Sequence, residues 1–329
     1  MRVVFLTRRF YPDIGGVEKH VLEIGKLLVK EGHKVLVITE SAGDEREIDG
    51  IEIKRIKAPD NWFKKFYIWI WLLRKRRYLR IADVVHAHDV YFWYFPFRFI
   101  YPTKPNYITF HGYENYPIPN GAIKIRNLSN KFSNGSIIVG KFIEKWYRTK
   151  TDYITYGGVN LPKSVYRSSN KLSALFVGRL EKNTGILEYA KVIREIRNTY
   201  PDLEFTIIGA GNLSDKLTDF KVLQPTEDIE RYINKSNFLF SSGYLTILEG
   251  LVSKRNIFAV YDNPLKKDYL EMTPFKNFIN IADSSEELAK QIKSQIDKTD
   301  SKIGKGYDWA RKQTWGEVYS LYKKLWKTQ

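Results

Sequence analysis

Two basic residues, Arg179 and Lys182, stand at a point where a strand pattern ends and a helical pattern begins. The apolar run breaks at Gly178, and the helical pattern starts after Gly185. Such a junction presents unpaired backbone N–H groups and the positive end of a helix, which together attract a phosphate group. Arg179 and Lys182 would add full charges there. The alternative is an ordinary strand-to-helix turn whose basic residues are solvated.

A carboxylate, Glu249, lies in an apolar segment that follows a strand pattern and opens a helix, residues 241–252. A single acidic residue on a helix usually faces solvent, but Leu248 and Leu251 give Glu249 core-type neighbours. A carboxylate held in such a place accepts hydrogen bonds from sugar hydroxyls.

Glycine turns occur in corresponding places of the two halves of the chain. Gly15 and Gly16 precede a helical pattern, and Gly209 and Gly211 follow a strand pattern. Glycines at a helix start let the backbone approach a ligand closely. A lone Gly-Ala-Gly is weak evidence for a nucleotide, but its place one strand-helix unit after the Arg179 turn strengthens that interpretation.

Histidines and cysteines limit the chemistry further. The sequence has no cysteine, and of its five histidines only His86 and His88 form a close pair, two residues apart on a strand. We therefore expect neither a disulfide nor a metal ion. His111 directly follows another strand, so we expect it at the carboxyl edge of a parallel sheet, where such folds bind ligands. A structural histidine is the alternative.

The elements that would position these residues predict an α/β fold. Each half repeats strand, glycine turn, helix and strand, which indicates two Rossmann-like doubly wound parallel-sheet domains facing each other across a cleft. We expect the first domain to span residues 1–162 and the second residues 171–312, with a Ser-rich linker between them. A final helix, residues 314–329, follows.

Composition leaves several partner classes open. With 329 residues, 43% of them hydrophobic, the chain is long enough for about two folded domains. It has no run of ~18 apolar residues and leads from Met1 directly into a strand, so we expect no membrane span, no secretory signal and a cytoplasmic location. The net charge of +17 suits nucleic acid, an anionic membrane or a phosphorylated substrate.

Residues 61–80 combine aromatic side chains with a basic cluster. This composition suits a segment that lies on an anionic membrane without crossing it. The alternative is a buried helix with a solvated basic end. A second aromatic stretch, residues 91–101, favours the lipid interpretation. The residues expected to contact a membrane are Trp62, Trp69, Trp71, Arg74, Lys75, Arg76 and Arg77.

Taken together in order, these pieces resemble the family 4 glycosyltransferases, which have the GT-B architecture of two facing Rossmann-like domains. Any one piece is unspecific, but the ordered set covers nearly the whole chain. The matching pieces are YPDIGGVEKHV (11–21), DVVHAHD (83–89), TFHGYE (109–114), YGGVN (156–160), FVGRL with the glycine at 185, IIGAG (207–211), LTILEGL (245–251) and TWGEVYSLYKKLW (314–326).

The resemblance implies roles for these residues. Glu249 would hold the ribose of a nucleotide-sugar donor, Arg179 would face its diphosphate, and His111 would lie close to the transferred sugar. Gly15 and Gly16 would belong to a loop that closes over the phosphates and reaches the acceptor, and the final helix would brace the N-terminal domain. The predicted donor-binding residues are Gly178, Arg179, Lys182, Gly209, Gly211, Gly243, Tyr244, Leu245, Thr246 and Glu249; the predicted acceptor-binding residues are Gly15, Gly16, His111 and Glu114; the predicted catalytic residues are Arg179, Lys182 and His111.

Two positions depart from the family pattern. Ser241 stands where the family has its first glutamate, and Thr184 stands where it has the diphosphate lysine. We expect Lys182 to replace that charge and the backbone near Gly243 to hold the sugar. A catalytically inactive nucleotide-sugar-binding scaffold is the alternative that these departures leave open.

The sequence and the resemblance lead to one expected activity. The chain would be a retaining hexosyltransferase that moves a sugar from a nucleotide-diphosphate sugar to an acceptor, with a lipid-linked glycan at an anionic membrane surface as the expected acceptor. Positioned cations and helix N-terminal amides would stabilise the leaving diphosphate, so no metal or other cofactor is expected. A basic nucleic-acid-binding protein is a further alternative, and it predicts affinity that falls steeply with salt.

Overall fold

The computed structural model describes residues 1–165, 172–296 and 302–327, and these form two compact units. The first unit joins Met1–Thr155 to the terminal helix, and the second is Tyr156–Thr314. The boundary therefore lies earlier than the expected residue 162. The reason is visible at Val159, whose backbone N–H donates to the Gln313 carbonyl at 2.8 Å within the second unit. Residues 166–171 of the expected linker lie outside the described residues.

The first unit contains a twisted sheet in which every described pairing is parallel except that of its short edge strand. Near-continuous apolar runs form its central strands, as expected for strands covered on both faces. Their order across the sheet is β3-β4-β2-β1-β5-β6-β7-β8. The strands are β1 (Arg2–Thr7), β2 (Lys34–Thr39), β3 (Glu47–Ile48), β4 (Ile51–Arg55), β5 (Val84–His88), β6 (Asn106–Phe110), β7 (Ser136–Val139) and β8 (Tyr153–Thr155).

Helices connect most of these parallel strands, as parallel pairing requires a crossover between consecutive strands. The expected segment 61–80 is divided into two helices by a turn at Lys75 and Arg76. The aromatic stretch that starts at Tyr91 is also a helix, with Pro96 inside it. The helices are α1 (Gly16–Lys30), α2 (Lys64–Arg74), α3 (Arg77–Ile81), α4 (Tyr91–Ile100), α5 (Asn120–Phe132) and α6 (Phe142–Tyr147).

The second unit repeats the design with a smaller, fully parallel sheet in the order β11-β10-β9-β12-β13-β14. Aromatic and branched side chains from one face of the sheet form a buried cluster with the apolar side chains of two helices, Ile186–Arg197 and Ser285–Ile296. Its strands are β9 (Ser173–Val177), β10 (Glu204–Ile208), β11 (Lys221–Leu223), β12 (Phe238–Phe240), β13 (Asn256–Val260) and β14 (Asn280–Ala282). Its helices are α7 (Ile186–Arg197), α8 (Glu230–Lys235), α9 (Tyr244–Val252), α10 (Pro264–Glu271), α11 (Ser285–Ile296) and α12 (Lys302–Ala310).

The terminal helix α13 (Trp315–Lys327) lies in the first unit, against α1. At the contact the Tyr319 hydroxyl donates to Glu31 Oε2 at 2.8 Å, and Lys323 Nζ lies 2.9 Å from Glu31 Oε1. Tyr322, one turn after Tyr319, is completely buried. Helix α13 therefore contributes both an anchor and an interior side chain to the first unit.

The expectation of two parallel-sheet α/β domains is confirmed. Within the described ranges, no helix has both the length and the apolar composition that crossing a bilayer requires.

Candidate functional site

In the second unit, the loop that carries Arg179 is fixed by the glycine turn after β10. Leu180 N donates to the Ala210 carbonyl at 2.9 Å, so the two loops run side by side. A Cβ atom on Gly209 would lie 1.9 Å from the Gly178 carbonyl oxygen, and one on Gly211 would lie 2.4 Å from that of Leu180. Only glycine permits this approach. The structure therefore gives both glycines a positioning role beside the predicted ligand role.

The Arg179 side chain projects into solvent with 65% of its surface exposed, and its Nη1 lies 3.0 Å from Glu181 Oε2. Thr184 closes the loop, since its Oγ1 lies 2.9 Å from the Arg179 carbonyl oxygen and 2.7 Å from that of Glu181. The Thr184 hydroxyl is thus used within the turn. Lys182 lies in the short 3₁₀ turn Lys182–Thr184 with its side chain exposed.

Helix α7 begins directly after this loop and is held against the end of β13. Gly185 adopts the left-handed conformation, with φ of 78°, and a Cβ atom there would lie 2.5 Å from Val260 Cγ1. The Val260 N–H also donates to the Tyr189 hydroxyl at 3.0 Å. These contacts bring the Arg179 loop toward the connection between β13 and α10, across the intervening strand β12.

The N-terminus of α9 lies beside that of α7. Ser242 Oγ lies 3.5 Å from the Thr184 carbonyl oxygen, which joins the two helix starts. Ser241, at the expected place of the first glutamate, accepts a hydrogen bond on Oγ from the Gly243 N–H at 3.1 Å. Two adjacent helix N-termini with an arginine beside them form an electropositive site suited to an anion.

Tyr244, Leu245 and Thr246 form the first turn of α9, whose N–H groups precede the first intrahelical acceptors. The Tyr244 ring stacks on Tyr269 of α10 with centroids 4.2 Å apart, and its hydroxyl donates to the Tyr269 carbonyl at 2.6 Å. The Tyr244 side chain therefore packs α9 against α10. Glu249 follows in the second turn and is half-buried.

The Arg179 loop and α9 follow the neighbouring strands β9 and β12 and so leave the sheet at the same edge.

Lys266 is a candidate that sequence reasoning missed. It lies in the first turn of α10, only 6% exposed, with its Nζ over the Tyr269 ring at 4.2 Å from the centroid. Burial lowers the pKa of Lys266 to about 7; Asp262 raises it, and the nearby positive charge of Arg179 lowers it further. Because residues 264–271 have the mixed polar and apolar pattern of a surface helix, nothing in the sequence distinguished Lys266 from a solvated lysine.

The first unit holds a different cluster, in which four of the five histidines meet residues of α13. His20, His86 and His88 are fully buried, and His111 is half-buried. The His20 and His111 rings meet edge to face with centroids 4.7 Å apart. Sequence reasoning noticed His86 and His88 as a pair, but their partners come from distant parts of the chain.

A directed hydrogen-bond chain fixes the protons in this cluster. Trp326 Nε1, which can only donate, lies 3.2 Å from His86 Nδ1, so neutral His86 carries its proton on Nε2. From there the bonds run to Thr109 Oγ1 at 2.8 Å, on to the Tyr322 hydroxyl at 2.8 Å and finally to His20 Nε2 at 2.9 Å. Helix α13 therefore sets the tautomers of two buried histidines.

His88 sets the tautomer of His111 in a similar way. His88 Nδ1 lies 2.9 Å from His111 Nε2, and the buried His88 Nε2 has no hydrogen-bond partner among the described residues. A buried N–H without an acceptor is costlier than an unused ring acceptor, so we infer that His88 donates from Nδ1. His111 then carries its own proton on Nδ1.

All four histidines are held neutral. Burial lowers the pKa values of His20, His86 and His88 well below the usual range, with further lowering by neighbouring histidines. Burial and then Arg126 lower the pKa of His111 to about 3. His111 can therefore serve a ligand near neutral pH as a hydrogen-bonding group and not as a cation.

The remaining predicted acceptor residues surround His111 or precede α1. The His111 N–H donates at 3.0 Å to Oδ1 of Asp89, a residue with an unusual φ of 61°. Glu114 binds Arg126 Nη2 at 3.3 Å and accepts from the Tyr147 hydroxyl, so its carboxylate orders this loop. Elsewhere in the unit, Gly15 is extended and Gly16 begins α1.

The expected membrane segment exposes an apolar face, but not through all of the expected residues. Trp62 is 76% exposed, whereas Trp69 and Trp71 are half-buried, and Trp69 Nε1 donates to the Phe92 carbonyl at 2.8 Å. Trp69 and Trp71 are therefore mainly packing residues. Phe66, Tyr67, Ile70 and Leu73 form the exposed apolar side of α2, followed by the exposed Arg74, Lys75, Arg76 and Arg77.

Comparison with known protein families gives one match, residues 14–155 with the model for Glycosyltransferase Family 4. The resemblance stated from the sequence is confirmed. The match lies wholly within the first unit.

Curated relatives are distant. Alpha-monoglucosyldiacylglycerol synthase of Acholeplasma laidlawii is 26% identical over 287 residues, which cover 73% of this chain and 70% of the relative. One of the subunits of human phosphatidylinositol N-acetylglucosaminyltransferase is 22% identical over 242 residues, 61% of this chain. The chain spans about half, 46%, of the length of that human relative.

Among solved structures, Anabaena HepE in complex with UDP and glucose is similar with a TM-score of 0.76 and 13% identity, covering 99% of both chains. At 13% identity, this similarity supports a shared fold only.

Proposed function

We propose that this chain, whose residues 14–155 belong to Glycosyltransferase Family 4, transfers a hexose-type sugar from a nucleoside-diphosphate sugar to a lipid-linked acceptor. The observation that carries the proposal is the anion site of the second unit. There the Arg179 guanidinium emerges beside the joined N-termini of α7 and α9. The names of the two curated relatives, a glucosyldiacylglycerol synthase and a phosphatidylinositol N-acetylglucosaminyltransferase component, support a lipid acceptor.

The chemistry explains why such a site is useful. When the bond between sugar and phosphate breaks, negative charge develops on the leaving diphosphate, and prepositioned donors stabilise that charge most. Arg179 supplies a guanidinium that pairs well with phosphate oxygens, and the two helix starts supply backbone N–H groups. Since Glu181 already contacts Arg179, a donor must compete with that exposed carboxylate. Exposed ion pairs contribute only about 0–1 kcal/mol, so a diphosphate displaces it easily.

In the proposal His111 acts in the first unit on the sugar or acceptor. Its neutral Nδ1–H donates a hydrogen bond to an oxygen without adding charge. Glu249 accepts hydrogen bonds from the donor ribose, as the family resemblance implies. The transfer proceeds with retention of configuration and without a divalent cation. NMR of the product's anomeric proton tests retention, and activity in excess EDTA tests the absence of a metal requirement.

The transfer test uses a panel of UDP-, GDP- and dTDP-sugars with vesicles that contain anionic and glycosylated lipids. We expect nucleoside diphosphate release from at least one donor, and we expect release to be lost in Arg179→Ala and Glu249→Ala. No release from any donor, with acceptor lipid present, would favour the inactive scaffold. Ser241 and Thr184, which depart from the family pattern, are the residues that suggest this alternative. Tight, strongly salt-dependent binding of single-stranded nucleic acid without donor turnover would instead support the nucleic-acid alternative.

For location we propose peripheral attachment to the cytoplasmic face of a membrane through α2. The exposed apolar side chains are placed to enter the headgroup region, with Phe66 54% and Ile70 51% exposed. The basic residues after α2 match the negative surface of that leaflet, where each contributes about 1 kcal/mol. Charge and apolar surface therefore meet at one end of the same helix.

Replacing Arg74, Lys75, Arg76 and Arg77 with Glu should weaken binding to anionic vesicles by at least about 10³-fold, since four favourable charges are lost and four repelling charges are added. Vesicle co-sedimentation measures the change. A matched control reverses four exposed lysines of the second unit and should leave most of the binding intact; these are Lys216, Lys276, Lys290 and Lys305. Equal loss in both variants would mean that only net charge matters, and no loss in the first would contradict the proposal.

A further inference from the structure

Lys266 is a buried lysine whose pKa Asp262 raises, yet among the described residues it forms no ion pair with that or any other acid. Only 6% of the residue is exposed, and among the described residues no carboxylate lies within ion-pair distance of its Nζ. Buried lysines are almost always paired, because an isolated charge loses its hydration. Its Nζ lies over the face of the Tyr269 ring, 4.2 Å from the centroid. A position that costs stability in this way calls for a ligand that supplies the missing negative charge.

The surroundings of Lys266 indicate which ligand this is. Pro264 begins α10, and the Asn263 side chain caps it by accepting from the Lys266 N–H at 2.8 Å. This fixes Lys266 in the first helical turn after β13, at the carboxyl edge of the sheet. The Tyr269 ring, which lies beneath Lys266 Nζ, stacks on Tyr244 at the start of α9. Lys266 is thereby held next to the same helix N-terminus that borders the Arg179 loop.

Two positive groups are therefore brought toward one place from different strands. Arg179 follows β9, Lys266 follows β13, and the start of α9 follows the strand between them. The positive charge of Arg179 also lowers the pKa of Lys266, after the larger effects of burial and of Asp262. Meanwhile Thr184, at the family's lysine position, uses its hydroxyl within its own turn.

We infer that Lys266 binds the diphosphate of the donor and takes over the role that a lysine at position 184 would have, so that the charge reaches the site from α10 instead of from the Arg179 loop. The inference rests on the proposed function and assigns that role to Lys266 in place of Lys182. Lys182 is exposed on the 3₁₀ turn, and a solvated cation there contributes little. Lys266 is desolvated, which makes its attraction to a phosphate stronger.

The test measures binding of UDP, GDP and dTDP by isothermal titration calorimetry to the full chain and to three variants. Lys266→Met should weaken binding of the preferred nucleotide by at least about tenfold, the loss expected when a charge-assisted hydrogen bond is removed. Lys266→Arg should retain most of the affinity, and Lys182→Met should change it by less than about threefold. Binding of the free nucleoside should be equal in all four proteins, because it lacks the diphosphate.

Thermal unfolding of Lys266→Met separates a binding role from a structural one. Removing a buried cation without a partner should leave the midpoint unchanged or raised. A variant that is at least as stable yet binds the diphosphate poorly supports the inference. If Lys266→Met does not fold, the inference is still tested by comparing how nucleotide affinity depends on pH in the wild type and in Lys266→Arg.

A group with a pKa of about 7 must be protonated to hold a diphosphate, so wild-type affinity should fall as pH rises from about 7.5 to 9.5, by up to about tenfold per pH unit. Lys266→Arg, which stays charged, should lose that dependence. The groups that face Lys266 are Arg179 from the loop after β9, Asp262 before α10 and Tyr269, with Tyr244 behind it. A wild-type affinity independent of pH overturns the inference.

The outcomes separate two failures. If the wild type binds a nucleoside diphosphate and Lys266→Met binds it equally well, the role of Lys266 is wrong and the proposed function stands. If the wild type binds none of the three nucleotides, the proposed donor class is contradicted, and the assignment of Lys266 with it.

Discussion

The two polar clusters of this protein differ in charge: one consists of neutral side chains and the other of basic ones. In the first unit, histidines, a tyrosine and a tryptophan satisfy one another in a buried network, and every histidine in it is kept neutral. In the second unit, Arg179 and Lys266 lie beside two helix N-termini, with Glu181 on the exposed side of Arg179 and Asp262 near Lys266. A neutral hydrogen-bonding cluster suits hydroxyl groups, whereas a cluster of basic side chains and helix N-termini suits a diphosphate. In the proposed function, the two units would therefore serve different parts of a glycosyl transfer.

The strongest test of this difference is Arg179→Ala. Loss of one preorganised donor to developing charge should lower turnover by about 10²–10³-fold, measured as nucleoside diphosphate release. Residual binding of the free nucleoside serves as the folding control. Turnover within threefold of the wild type would mean that the positive cluster has no catalytic role.

The neutral cluster should be sensitive to acid. Because the folded histidine pKa values are lowered, the unfolded chain binds more protons below about pH 6.5, and stability falls as pH drops from there toward the folded values. Each buried histidine should cost about 1–2 kcal/mol of unfolding free energy between pH 7 and pH 5. Asp89, whose pKa burial raises to about 6, opposes part of this loss, since the folded chain protonates it first.

Urea unfolding at pH 7 and pH 5 measures this effect, with His20→Gln as the variant, because the glutamine oxygen still accepts from Tyr322. The pH-dependent loss should shrink by about 1–2 kcal/mol in that variant. His33→Gln, outside the cluster, should leave the loss unchanged. An equal loss in all three proteins would contradict a neutral buried cluster.

A smaller effect is expected from His111→Ala. A neutral hydrogen bond contributes about 1 kcal/mol, so transfer should slow by about fivefold to tenfold. UDP affinity, measured by calorimetry, should not change, because the histidine does not act on the diphosphate. A loss of UDP affinity comparable to that of Arg179→Ala would remove the distinction between the two clusters.

The smallest effect should come from Lys182→Ala. Since its side chain is exposed, donor turnover should fall by less than about threefold. A loss as large as that of Arg179→Ala would show that Lys182, as the sequence suggested, supplies the missing lysine charge. Steady-state kinetics with the preferred donor decide between Lys182 and Lys266.

Local sequence patterns were sufficient for much of the fold. Continuous apolar runs such as those of β1 and β9 predict buried parallel strands, and glycines before helices mark the turns at the sheet edge. Arg179 could be singled out because its neighbours in sequence are also its neighbours in the site. Gly209 and Gly211 were found for the same reason, although their close contact with the Arg179 loop could not be foreseen.

The features that were missed depend on contacts between distant residues. Lys266 is distinguished from other lysines only by burial, which the sequence of α10 does not reveal. Tyr322 and Trp326 complete the histidine cluster from the end of the chain, although their spacing on α13 predicts only an amphipathic helix. The exposed face of α2 was assigned to Trp69 and Trp71 because the side that α4 covers cannot be read from composition.

A structure of the full chain with bound UDP tests the central claim most directly. We predict that the diphosphate lies within hydrogen-bonding distance of the Arg179 guanidinium and the N–H groups at the start of α9, with Lys266 Nζ on the same phosphates. UDP bound away from that cluster, or a diphosphate contacted by neither Arg179 nor the α9 start, would contradict the account.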